Sequence, residues 1–146
     1  MGSSSGSKSS TNAWGSEMMV IRLPFPAAEL FPNRKNGTHW TKTKAVKDGQ
    51  RLAGMLCTKA AMQEQPAREW PAFIPLSLVF MLPDKRKRDA DNMLAASKAL
   101  LDGMAEALGV DDSRFRPVLV DWIPGQPKVG ALVVAVGVQI RSGVNL

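Results

Sequence analysis

The residues able to do chemistry gather in two short segments. Lys85-Arg86-Lys87-Arg88 runs directly into Asp89-Ala90-Asp91-Asn92, and Asp111-Asp112 follows after a helix-length interval. Carboxylates in a D-x-D pattern collect a hard divalent cation such as Mg²⁺ through oxygen, and Mn²⁺ can substitute. Lysines and arginines collect phosphate oxygens. Together they describe metal-assisted chemistry on a phosphodiester. Each part alone has a plainer reading. Asp89, Asp91 or Asn92 can cap a helix, Asp111-Asp112 can be a solvated turn, and a basic run can be a solvated patch. The order in which they occur favours the metal reading.

The spacing adds geometry. Extended backbone points residues i and i+2 to one side, so Asp89 and Asp91 can present two carboxylates to one ion. Asp91, Ala95, Lys98 and Asp102 share one helix face. Lys98 then either reaches back toward metal and phosphate, with Asp102 orienting it, or simply pairs with Asp102. Asp112 joins the cluster if residues 118–123 pair beside residues 76–82 and bring its loop to the strand end that carries Asp89. Lys44, Lys47 and Arg51 repeat on another helix face, either as an extension of the phosphate track or as a solubilising surface. His39-Trp40 reads as a DNA-stacking pair or as a buried tryptophan beside a satisfied histidine.

The whole chain narrows the partners. Its 146 residues, 45% hydrophobic, suit one domain with one core. A formal charge of +6 and a pI near 9.8 suit a polyanion. No apolar run approaches the roughly 20 residues of a membrane span, and no secretory leader pattern opens the chain. Nucleic acid is therefore favoured over a membrane. With one cysteine, Cys57, and one histidine, His39, neither an internal disulfide nor a Cys- or His-built metal cage is available. Metal ligands must be oxygen.

These groups need a scaffold. Residues 1–17 are Gly/Ser-rich and read as a tag-like arm, residues 18–141 as the folded domain and 142–146 as a tail. Strands are expected at Met19–Leu23, Leu76–Leu82, Val118–Ile123 and Ala131–Ile140. One helix is expected from an N-cap at Thr41 to about Glu64, buried along Val46, Ala53, Leu56 and Ala60, and a second over Asn92–Leu108, stopped by Gly109. Cys57, Met55, Met62, Met93 and Met104 read as core residues. The order β-α-β-α-β-β predicts an α/β (α+β) domain, with two main helices packed on a small mixed sheet.

Arg86-Lys87-Arg88-Asp89-Ala90-Asp91-Asn92, then Lys98-Ala99-Leu100-Leu101-Asp102, then Gly109-Val110-Asp111-Asp112 resembles the RusA family of Holliday-junction resolvases, especially its phage and prophage branch. Leu23-Pro24-Phe25-Pro26, Pro32-Asn33 and His39-Trp40 are similar to that branch's opening motifs. The resemblance implies a Mg²⁺-dependent homodimeric endonuclease that cuts four-way DNA junctions in recombination and repair, within the cytoplasm of a bacterial or phage-infected cell. It assigns metal binding to Asp89, Asp91 and Asp112, and a catalytic role to Lys98. In the family pattern the lysine follows D-N more closely; here Met93 to Ser97 intervene. Lys85, Arg86, Lys87 and Arg88 are the expected phosphate contacts. Hydrolysis would leave a 5′-phosphate and a 3′-hydroxyl. Two other readings stand beside it: a non-catalytic binder of DNA structures, and a nuclease of flaps or forks. For the dimer, the fourth strand and the apolar Leu23–Phe31 loop are the expected interface.

Overall fold

A computed structural model describes residues 18–32, 40–65, 69–124 and 130–137, with the backbone alone at 40–42. His39, the Trp40 side chain, Asn33 and residues 138–140 of the expected fourth strand lie outside the described residues. The elements are β1 (Met19–Leu23), α1 (Trp40–Glu64), β2 (Ile74–Met81), α2 (Ala90–Ala96), α3 (Lys98–Leu108), β3 (Phe115–Ile123) and β4 (Ala131–Val136). Short 3-10 turns occupy Ala28–Leu30 and Asp112–Arg114.

Alternation builds the sheet. Ile21 and Leu23 on β1, Leu76, Leu78 and Phe80 on β2, and Leu132, Val134 and Val136 on β4 are buried at every second position. They meet Met93, Ala96, Leu100 and Met104 of the helices in one apolar cluster. The sheet order is β1-β4-β2-β3. Strands β2 and β3 are parallel, joined through α2 and α3, and the other pairs are antiparallel. This is the expected mixed α+β arrangement. Pro75 is accommodated in an interior strand because it stands where the β2–β3 register shifts between Ile74 and Leu76. At the β1 edge, the Gln65 side chain accepts from Val20 N at 3.2 Å and donates to Val20 O at 3.1 Å.

Several expectations change. Thr41 lies inside α1, which already includes Trp40, so it is not the cap. The buried stripe of α1 is not the expected one. Leu56 is 56% exposed and Ala60 is exposed, while Gly54 and Thr58 are buried and Ala53, Cys57 and Ala61 half-buried. The reason is close approach: a β-carbon on Gly54 would overlap the Leu100 carbonyl, and one on Gly103 the Arg51 carbonyl. Only small residues fit that crossing. Met62 is exposed, whereas Met93 and Met104 are fully buried.

The second helix is bent rather than straight. Ser97 is buried, and its hydroxyl donates to the carbonyls of Met93 at 2.9 Å and Leu94 at 3.0 Å. Such back-bonding opens a helix. The backbone bond from Leu101 N to Ser97 O, 3.0 Å, carries the chain across the bend. Gly109, with φ 76°, ends α3 as expected.

The expected dimer surface also changes. β4 is an interior strand, and Leu23 and Phe31 are buried in the core, so neither offers an edge. The face of the sheet away from the helices carries Val79, Met81, Val133, Leu119 and Ile123, all half-buried.

The glycine crossing gives opposite expectations for two similar changes. Gly54→Ala should destabilise by about 1–3 kcal/mol through overpacking, read as a lower urea midpoint. Gly49→Ala has no neighbour within 4 Å of its added carbon. It should raise the midpoint, by roughly 0.5–1 kcal/mol of helix propensity.

Candidate active site

The turn after α3 aims an aspartate backward. Val110 N donates to Ala105 O at 3.1 Å and Gly109 N to Glu106 O at 3.2 Å, closing the helix end. Asp111 then caps the next 3-10 turn by accepting from Ser113 N at 2.9 Å. Asp112 is left to face α3, and its Oδ2 lies 2.8 Å from Lys98 Nζ. Lys98 Nζ also donates to Asp102 at 3.0 Å. The lysine therefore sits between two carboxylates. Its pKa is raised from 10.5 by the hydrogen bond to Asp112 and then by that to Asp102, against a smaller effect of burial. The Asp112 carboxyl is lowered from 3.8, chiefly by the Lys98 hydrogen bond. At neutral pH Lys98 is a cation and cannot act as a base.

Asp91, Lys98 and Asp112 line one depression of about 390 Å³ above Leu76, Phe115 and Val118. On the other flank of α3, Lys47 and Arg51 border Lys98 and Asp102 in a cavity of about 510 Å³. Two of the expected track cations thus reach the cluster. Arg51 is tied to Glu106 at 2.8 Å, and Lys44 pairs along its own helix with Asp48 at 3.1 Å.

The approach of Asp112 differs from the expected route. β2 and β3 are parallel as anticipated, with Ile74 opposite Phe115. Asp112 precedes Phe115 and so lies at the start of β2, whereas Asp89 follows its end. The bent α2–α3 segment spans that length and brings Asp91 to the same depression as Asp112.

Asp89 occupies the N-cap position of α2 with extended backbone and no capping bond from its side chain. Its side chain accepts from Asn92 Nδ2 at 3.5 Å. It lines a separate cavity with Phe25, Arg86, Lys87 and Arg88. Among the described residues no three His, Cys, Asp or Glu side chains stand together as a metal cage. The structure brings Asp91, Lys98, Asp102 and Asp112 together and leaves Asp89 apart. Two exposed carboxylates nevertheless suit Mg²⁺, which commonly takes one or two protein carboxylates and completes its shell with water and substrate phosphate.

The basic run divides. Lys85, Arg86 and Lys87 are exposed. Arg88 is not on that surface: its side chain is 11% exposed and bonds both Asp84 oxygens, at 3.0 and 3.2 Å. Its guanidinium also lies 5.5 Å from the Phe25 ring and 5.7 Å from Phe31. An inward arginine keeps its charge because a carboxylate and two ring systems replace water. Sequence reasoning gave Asp84 no role and placed Phe25 and Phe31 in the expected interface loop rather than around an arginine. The available signal was an aspartate two and four residues before two arginines.

Asp84 also accepts from Arg86 N at 3.0 Å and Arg86 Nε at 3.2 Å. The Arg86 backbone bond first, then Arg88, lowers its pKa from 3.8 to about 2. A folded pKa below the unfolded one means that the stabilisation is present above 3.8 and is lost as pH falls through about 2. Carboxyl NMR titration should place the Asp84 midpoint near 2. Arg88→Ala should move it only part of the way back, because the Arg86 bonds remain.

The chain has been compared with known proteins. No family model matches it. It is 32% identical over 136 residues to an uncharacterized protein of Xylella fastidiosa (strain Temecula1 / ATCC 700964), covering 87% of this chain and 83% of that one. Near-complete coverage at that identity relates the whole domain rather than a local motif, and the chain belongs to the family of that uncharacterized protein.

Proposed function

We propose that this protein is a Mg²⁺-dependent endodeoxyribonuclease of the RusA kind that cuts branched DNA, four-way junctions above all. The observation that carries the reading is Lys98, held as a cation between Asp102 and Asp112 in a depression shared with Asp91 and flanked by Lys47 and Arg51. An ammonium has three donors. Two are taken by the carboxylates, and the third suits a phosphate oxygen. Asp102 and Asp112 hold the ammonium in place, so a phosphate meets it already oriented. Asp91 and Asp112 would hold the metal, and Asp89, on the wall of the neighbouring cavity, stands outside that pair. When bound, Mg²⁺ supplies a Lewis acid for the phosphoryl group and makes a bound water more acidic. Lys47, Lys85, Arg86 and Lys87 supply the exposed positive surface for the strands on either side.

Two related nicks need two sites, and the described residues carry one such cluster. The reading therefore includes a homodimer, through the face of the sheet that the helices leave open. Pairing aligns Arg22, Val133, Val79 and Asp121 in one row across that face. A two-fold axis along the strands, between β4 and β2, sets Arg22 of one copy over Asp121 of the other. A polar partner would not match the apolar residues between them. Val79→Glu should yield a species of the 15.8 kDa chain mass in sedimentation equilibrium at micromolar protein, where the unaltered protein is a dimer.

The direct test uses synthetic four-way, flap, fork and linear duplex DNA, with and without Mg²⁺. Paired nicks in the junction should occur with Mg²⁺ alone. Asp91→Asn and Asp112→Asn should each lower the nicking rate at least a hundredfold while junction binding persists or tightens. Full activity in either variant, or activity in EDTA, contradicts the proposal. Binding without nicking would instead identify a structural DNA binder, and preference for flaps or forks would reassign the substrate. Arg86→Ala should lower the slope of log affinity against log salt by about 0.9 if that residue contacts one phosphate.

A further inference from the structure

We propose that the cavity between the Phe25–Phe31 segment and the basic run receives a single unstacked nucleotide, with its base against Phe25 and Arg88 and its phosphate at Arg86 and Lys87. The inference rests on the nucleic-acid reading above and gives that substrate a second point of attachment. The cavity holds about 380 Å³, near the small end of the range of roughly 300–1,000 Å³ for small-molecule sites. Phe25, Pro26, Phe31 and Pro83 form apolar walls, and Arg86, Lys87 and Asn92 supply polar groups. A bare phosphate has no use for the rings, and an apolar ligand has no use for the cations. A nucleotide uses both.

The wall is prepared in advance. Phe25 and Phe31 stack with centroids 6.0 Å apart, and Phe25 meets Phe80 edge-on at 6.2 Å, so core packing holds the rings. Asp84 fixes the Arg88 guanidinium close to both rings. Arg88 Nε is shut from solvent with no acceptor among the described residues. The two bonds to Asp84 and the contact with both rings, not that unpaired N–H, hold the guanidinium in place. Bases stack on aromatic faces and on arginine planes with little regard to sequence. Asp89 on the cavity wall repels phosphate there and can accept from an exocyclic amino group, while Arg86 and Lys87 attract phosphate on their side. A base inside a duplex has both faces covered, so only an unpaired or extruded base can enter. Asp89 stands two residues before Asp91, so an occupied cavity would anchor the strand beside the candidate cleavage site.

Photo-crosslinking in EDTA tests this without cleavage. 5-Iodo-2′-deoxyuridine is placed in a short single strand, in a linear duplex, and at the branch point of a four-way junction. Mass spectrometry of the full-length protein should find crosslinks on the Phe25 peptide with the single strand and the junction, and none with the duplex. By fluorescence anisotropy, Phe25→Ala should weaken single-strand binding about tenfold, Phe25→Trp should retain it, and Phe73→Ala should leave it unchanged. Phe73 is an exposed ring with Arg116 stacked 4.3 Å above it, away from this cavity. Should Phe25→Ala fail to fold, crosslinking of the unaltered protein decides. Crosslinks confined to Phe73 or Trp122, or equal single-strand affinity in folded Phe25→Ala, would overturn the proposal. Mg²⁺-dependent nicking without a Phe25 crosslink refutes the cavity and keeps the nuclease. A Phe25 crosslink without nicking does the reverse.

Discussion

One close crossing of two helices organises much of the described structure. α1 and α3 cross where neither Gly54 nor Gly103 has room for a β-carbon. At that separation backbone meets backbone, and side chains on either side of the crossing are brought into register. Arg51 reaches Glu106, and Lys47 comes beside Lys98 and Asp102. The same crossing holds α3 against the sheet while the Ser97 bend leaves Asp91 free to face the depression. The candidate site is thus a by-product of two missing methyl groups. Widening the crossing would separate the α1 cations from the lysine without touching a site residue.

Most of the scaffold was legible because its strands are short apolar runs bounded by local stop signals. Residues 19–23 end at Pro24 and residues 76–82 at Pro83. α1 was misread at Leu56 and Ala60 because hydrophobic periodicity assumes that the largest apolar residues lie inside. A glycine-centred contact inverts that rule, and its cause is fifty residues away at Gly103. The Ser97 bend was hidden for a related reason. A serine in a helix reads as neutral until burial turns its hydroxyl back onto the carbonyls of the preceding turn.

Within the site, spacing located Lys98 beside Asp102, and the family resemblance, not spacing, pointed to Asp112 over Asp111. Spacing did not reveal that one lysine would join two aspartates, one four residues on and the other fourteen. That contact depends on the left-handed turn at Gly109 and the cap made by Asp111, which act together. Arg88 shows the opposite failure. A run of four cations looks uniform in sequence, yet one of them completes the core because Asp84 and two phenylalanines stand ready to receive it. The overall positive charge therefore overstates the cation available to a partner at this point on the surface.

A bare sheet margin is a template on which another strand can polymerise. Here the Gln65 amide occupies both the N–H and the carbonyl of Val20, across 45 residues of chain. The stopper immediately follows the last residue of α1, so it reaches the margin only once the helix has docked. Until then the margin is open, and afterwards the folded molecule carries its own terminator. Exposure to runaway strand addition on that side is confined to the interval of folding.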